Sequence, residues 1–280
     1  KGRLVPNDNF TNPKYFRAGV STHRPDFPMD KGTDVNGWTE VSDTYKAPTK
    51  ATKAMVELVF RWAPPHSSVR WNDVSLKQVE APKGRKVRLA SVHHKPRTEG
   101  KTPMDNCRSY APFIEEAAKK NADLVVLGES ITIYGNGLKY ADAAEPIPGP
   151  STEYFGKLAK KHDFYIVVGL LEKADHLIYN VAVLIGPDGK VQGKYRKTCL
   201  PRGEADGGLT PGNEYPVFDT RFGKLGMMVC YDAFFPEVAR QLTINGAEVI
   251  ALPVWGCNPA LAAARATENH VWLVSSTYTD

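Results

Sequence analysis

Apolar and polar positions change their rhythm once along this chain, near residue 83. Before that point the runs are short and alternating. In Val56-Glu57-Leu58-Val59-Phe60-Arg61-Trp62 the apolar side chains, Val59 apart, fall on every second position, as one face of a half-buried strand requires. Pro64-Pro65 ends the run, and Val69, Trp71, Val74 and Leu76 take strand-like positions within 69–79 around the turn-former Asn72-Asp73. With no convincing helical period before Pro82, residues 1–82 are predicted to form a small all-β domain. After the polar linker Ala81-Pro82-Lys83-Gly84-Arg85-Lys86, strands alternate with helices. Strands are predicted at 87–92, 124–127, 165–171, 181–185, 190–195, 224–229, 249–253 and 271–275, the fourth and fifth joined by the hairpin signal Gly186-Pro187-Asp188-Gly189. Helices are predicted at 106–120, 151–162, 236–245 and through Arg265. That alternation makes 83–280 an α/β domain.

Composition narrows the classes. The 280 residues leave room for two domains, and 42% hydrophobic with 24% charged residues is ordinary for a globular chain. The net charge of +5 comes from Lys and Arg scattered among Asp and Glu, with no basic run carrying interleaved aromatics, so nucleic acid is not an expected partner. No apolar run approaches the roughly 20 residues a membrane helix needs. The chain opens without Met or a signal-like apolar segment and stops after a strand-like stretch, so both ends are expected to be cut from something longer. Cys107, Cys199, Cys230 and Cys257 lie far apart with no CxxC pair, which argues against a zinc knuckle or redox dithiol and for free thiols. Neighbouring His93 and His94 point to opposite faces of a strand, so no metal site is expected there.

Ligands of open α/β sheets bind outside the carboxyl ends of strands, which singles out a few polar residues. Glu129 follows the apolar run Leu124-Val125-Val126-Leu127, where burial would bring a carboxylate towards base-competent values; the competing reading is a solvated loop acid. Cys230 ends Leu225-Gly226-Met227-Met228-Val229 a few residues before a helix start around Phe235-Pro236-Glu237, an elbow in which a helix dipole would favour thiolate and the Tyr231 N–H could face an oxyanion; otherwise it is an inert buried cysteine. Lys197 leaves the second hairpin strand as either an oxyanion-stabilising cation or a surface lysine. Glu204, seven residues on, could pair with that cation or orient a substrate nitrogen, or be a salt-bridged loop acid.

Three segments taken together, Leu127-Gly128-Glu129-Ser130, Tyr195-Arg196-Lys197-Thr198-Cys199-Leu200-Pro201 and Val229-Cys230-Tyr231-Asp232-Ala233-Phe234-Phe235-Pro236-Glu237, resemble the nitrilase superfamily of carbon–nitrogen hydrolases. The resemblance implies a four-layer α-β-β-α sandwich and a Glu129-Lys197-Cys230 triad that forms a Cys thioester from a small amide-like substrate, with no metal or organic cofactor. A homo-oligomer is expected as well. Amide or N-carbamoyl substrates are favoured because the Cys-Tyr-Asp form resembles the amidase and carbamoylase branches, whereas true nitrilases usually carry Cys-Trp-Glu. Two positions depart from the family pattern: Gly128 stands where Pro is usual, and Cys199 where His is frequent. Competing signatures are missing, since Cys230 lacks flanking glycines of a glutamine amidotransferase and no GxSxG elbow occurs. In the N-terminal part, Trp71-Asn72-Asp73-Val74-Ser75-Leu76 resembles the last strand of carbohydrate-binding-type jelly rolls. That would make a carbohydrate a partner of the module and suit an extracytoplasmic protein, although a purely structural sandwich reads the same residues; the compartment itself is not fixed. The alternatives to an amidase are a polysaccharide-binding scaffold without catalysis and a true nitrilase.

Overall fold

The computed structural model describes residues 28–47, 52, 54, 56–58, 60, 63–80, 84–96, 102–256 and 258–278. The chain divides into two compact units, Lys1–Gly84 and Arg85–Asp280.

In the first unit, β1 (Met29–Thr33) and β2 (Thr39–Ser42) form an antiparallel pair. Asp34 closes their turn, its Oδ1 accepting from the N–H groups of Asn36 (2.8 Å) and Trp38 (2.9 Å), the local bonding that favours Asp in turns. The two runs expected as strands behave differently. Val59 and Trp62 lie outside the described residues, and 56–58, 60 and 69–79 carry no strand. Val56, Leu58, Phe60, Val69, Trp71, Val74 and Leu76 stay exposed, so the face that alternation assigned to a core covers none. Period-two patterning is necessary for a half-buried strand, but a strand also needs a paired neighbour, and these have none among the described residues. The jelly-roll-like module is therefore not shown, and among the described residues the apolar periodicity there has no packed counterpart.

The second unit is layered. One sheet runs β3 (Leu89–Ser91), β4 (Leu124–Val126), β5 (Tyr165–Ala174), β6 (Leu177–Ile185) and β7 (Val191–Arg196), with β3, β4 and β5 parallel and β6 and β7 antiparallel additions. The other runs β11 (Trp272–Ser276), β10 (Val249–Pro253), β9 (Gly223–Met227) and β8 (Val217–Thr220), parallel except for β8. Side chains alternate between two cores. Leu124, Val126, Val167, Ala182 and Leu184 join Leu225 and Met227 of the second sheet, while Val125, Leu127, Ile166, Val168, Val183 and Ile185 meet the helices on the opposite face. Those helices are α1 (Pro103–Ser109), α2 (Ala111–Lys119) and α4 (Pro150–His162), and the short α3 (Tyr140–Ala143) packs beside β5. On the far side, α6 (Pro236–Ile244) and α7 (Pro259–Asn269) cover the four-stranded sheet, giving the order helix, sheet, sheet, helix. A nitrilase-type α/β sandwich with mixed sheets fits this arrangement.

Most predicted elements lie within a few residues of their expected places; the exceptions have local causes. The single helix expected over 106–120 is two, broken at Tyr110, because Pro112 lacks an N–H and suits only a first helical turn. Strand β8 and the one-turn α5 (Arg202–Asp206) carry no clear period and were not expected.

Candidate active site

Glu129, Lys197 and Glu204 form one buried cluster. Glu129 follows β4 and is 2% exposed, and Lys197 follows β7 and is fully buried. The Lys197 Nζ lies 2.9 Å from Glu129 Oε1 and 2.6 Å from Glu204 Oε1, so the cation is clamped by both carboxylates and is not a surface lysine. Burial alone would lower this ammonium, but the charges of Glu129 and Glu204 outweigh it and hold the pKa above its ordinary value. Burial raises Glu204, with Lys197 pulling the other way.

Backbone pairing fixes each member. Lys197 N donates to Asn180 O (2.9 Å) and Gly212 N donates to Lys197 O (2.8 Å), which continues the β6–β7 ladder one step past its last paired strand residue. The same register sets Asn180 opposite Lys197, and its Nδ2 donates to Glu129 Oε1 (2.8 Å). Asn180 was missed from sequence, although a polar residue in the middle of the apolar run Leu177-Ile178-Tyr179-Asn180-Val181-Ala182-Val183 was a visible signal.

Glu129 sits in a tight cradle. Gly169 N donates to Gly128 O (3.0 Å), and a Cβ on Gly169 would come within 2.6 Å of Glu129 Cα. From the other side, Tyr278 Oη donates to Glu129 O (2.6 Å), and a Cβ on Gly128 would lie 2.7 Å from the Tyr278 ring. The fully buried ring of Tyr278 thus fills the space next to Gly128, a physical reason for glycine at a position where the family usually has Pro. Tyr278 in turn packs on Tyr134 (4.4 Å between ring centroids) and Trp255 (5.2 Å).

Cys230 comes from the other sheet. Met228 and Val229 extend β9 as buried chain, and Cys230 opens a 3-10 turn (Cys230–Phe234) with φ of 44°, left-handed and unusual outside glycine. Tyr231 follows within that first turn, where N–H groups lack helical partners, and its ring packs on Phe234 and Phe235. Helix α6 starts at Pro236, where the sequence placed it, a few residues after the elbow, and the 3-10 turn stands between it and the thiol. The expectation of a dipole-favoured thiolate is corrected accordingly: burial pushes the Cys230 thiol up to about 12, the Glu129 charge adds to the rise, and Lys197 offsets part of it. Both catalytic candidates of the first sheet therefore reach the thiol electrostatically. Among the described residues, Glu129 Oε2, the oxygen not taken by Lys197 and Asn180, has no hydrogen-bond partner. A small cavity beside Cys230 is walled by Ala233, Phe234, Leu252, Val254, Asn258 and Leu261, with no charged side chain in its lining.

Asp232, two residues after Cys230, is completely buried and was not singled out from sequence. The described cysteines Cys107, Cys199 and Cys230 are unpaired. Among the described residues, no group of three or more His, Cys, Asp or Glu side chains is placed to hold a metal ion, and no helix is long and apolar enough to cross a membrane.

A carbon-nitrogen hydrolase family model matches residues 88–280. A nitrilase of Pyrococcus abyssi (strain GE5 / Orsay) is 38% identical over 185 residues, covering 62% of this chain and 69% of that protein. The omega-amidase NIT2-A of Xenopus laevis is 32% identical over 188 residues, covering 61% and 68%. Among solved structures, Saccharomyces cerevisiae Nit3, a member of branch 10 of the nitrilase superfamily, superposes with a TM-score of 0.61 at 27% identity over 71% of this chain and 79% of that one. With a family match spanning well over half its length, this chain belongs to the carbon-nitrogen hydrolases of the nitrilase superfamily.

Proposed function

We propose that the enzyme hydrolyses a small amide or N-carbamoyl compound through a thioester on Cys230. The observation that carries this reading is the clamp on Lys197: two carboxylates hold a buried ammonium beside a thiol, and one oxygen of Glu129 is left without a partner.

At its raised pKa the Cys230 thiol is protonated in the resting enzyme, so attack needs a base. Glu129 Oε2 takes the proton as sulfur bonds to the carbonyl carbon. The carbonyl π pair moves to oxygen, and the Lys197 ammonium and the Tyr231 N–H stabilise the resulting oxyanion. Because its pKa lies above the ordinary value, Lys197 stays cationic and serves as a fixed charge; it is not the proton donor. The oxyanion collapses, the carbon–nitrogen bond breaks, and the proton on Glu129 passes to the departing ammonia or amine. Water then gives a proton to Glu129 and attacks the thioester; the carbon–sulfur bond breaks and that proton returns to sulfur. Glu204 and Asn180 keep Lys197 and Glu129 in place.

The Cys-Tyr-Asp form supports an amide over a nitrile. Ammonia release across a panel of aliphatic amides, N-carbamoyl compounds and nitriles tests this. Turnover of amides by the parent, absent in Cys230→Ala and Glu129→Gln, is the expected result; turnover of nitriles alone favours a true nitrilase, and activity that survives Cys230→Ala removes the thiol from the mechanism.

A further inference from the structure

Asp232 is a buried carboxylate that the reaction above does not use. Its Oδ2 accepts from Val229 N–H (2.8 Å) and Tyr195 O–H (2.9 Å), and its Oδ1 from Cys199 N–H (2.9 Å) and Thr198 O–H (3.2 Å). One backbone N–H, which can only donate, and one hydroxyl meet each oxygen, a set of partners that favours the carboxylate form. Burial raises its pKa, against the donors of Val229, Cys199 and Tyr195.

What these donors flank gives the residue its meaning. Val229 immediately precedes the nucleophile, while Tyr195, Thr198 and Cys199 bracket Lys197. The first segment leaves the four-stranded sheet and the second the five-stranded sheet. One carboxylate thus ties together the two chain turns that carry the thiol and the cation. We infer that Asp232 is a positioning residue that sets the Cys230 elbow against the Lys197 segment, holding sulfur and ammonium at their working separation. The inference rests on the roles given to Cys230 and Lys197 above.

Asp232→Asn keeps the size but turns one oxygen into a donor that faces a backbone N–H, so at least one of the four ties is lost. Loss of alignment at a reacting centre costs up to about 100-fold, so kcat should fall by about 10- to 100-fold while KM stays within about threefold. Tyr195→Phe removes one tie to Asp232, along with the hydroxyl's contacts to Thr198, and leaves the carboxyl in place; it should lose about three- to tenfold in kcat and fold normally. A second readout is inactivation of the full-length enzyme by iodoacetamide, followed across pH. Loosening the cation from the thiol weakens the Lys197 charge that lowers the thiol's pKa, so in both variants the inactivation profile should move to higher pH. A residue that merely supports the fold would lower the melting temperature and leave that profile and kcat untouched well below melting. If Asp232→Asn fails to fold, Tyr195→Phe decides. Folded variants with kcat within twofold of the parent and an unmoved profile overturn the inference, as does a rise in KM at constant kcat. The underlying mechanism is tested separately: turnover persisting in Cys230→Ala would sink that mechanism, whatever Asp232 does.

Discussion

At Lys197 an ammonium with no exposure is surrounded by Glu129, Glu204 and the Cys230 thiol, and in the proposed reaction its charge faces the oxyanion. Lys197→Met should lower kcat and kcat/KM together by about 100-fold or more, with little change in KM, in steady-state assays. Lys197→Arg should lose nearly as much, because a planar guanidinium does not fit between two carboxylates spaced for an ammonium; near-parent activity in that variant would reduce Lys197 to a diffuse positive potential. The Gly128 cradle makes a different kind of prediction. Gly128→Ala pushes a methyl into the Tyr278 ring and should destabilise the protein by about 1–3 kcal/mol, and Tyr278→Ala should relieve part of that penalty, so the double variant melts above the temperature expected from adding the two single losses. Strand-end position and local motifs made Glu129, Lys197, Cys230 and Glu204 legible in the sequence. Asn180, Asp232 and Tyr278 were not legible as partners, since each acts through a bond to a residue 33 to 149 positions away. The state of the Cys230 thiol was misread for a related reason: the helix start is local and visible, whereas burial and a facing carboxylate belong to the assembled fold.

Among the elements, β5, β6 and β10 were legible because nearly every residue in them is buried, and a continuous apolar run has few other solutions. The runs before residue 80 had the right alternation but, among the described residues, no neighbours that bury it, which a period alone cannot report. One polar residue inside β5 gives these strands a pH signature. Glu172 is 2% exposed and accepts from Arg196 at both carboxylate oxygens (2.8 and 3.0 Å) and from Lys194. Burial pushes its pKa up, but the Arg196 and Lys194 bonds prevail and hold it below the ordinary 4.5. A depressed carboxylate adds stability that is present above the unfolded value and is lost as pH falls through the folded one. Glu172→Gln should therefore cost about 2 kcal/mol near neutrality, and the gap in melting temperature between parent and variant should close on acidification below the ordinary carboxylate range. A gap that stays constant to low pH would show that the ion pairs contribute nothing.

On the scale of the molecule, every residue placed in the site lies in the unit Arg85–Asp280. A chain lacking residues 1–84 should keep the parent kcat and KM on a soluble amide within about twofold; a large loss would assign the first unit a part in the chemistry. The origin of the three central side chains has a further consequence. Glu129 and Lys197 hang from one sheet and Cys230 from the other, so the separation of the proposed base and nucleophile is an interlayer spacing, set by the interleaved Leu, Val and Met side chains between the sheets. Turnover then acts as a ruler for that spacing. A swollen state that kept its strands and helices would hold every reacting group and still be inert, because a gap of one ångström between layers is a gap of one ångström in proton transfer. In rising urea, hydrolysis should vanish before far-ultraviolet circular dichroism changes, and a large-to-small change such as Met227→Ala, in the seam and away from any reacting atom, should depress kcat at temperatures where the protein is still folded.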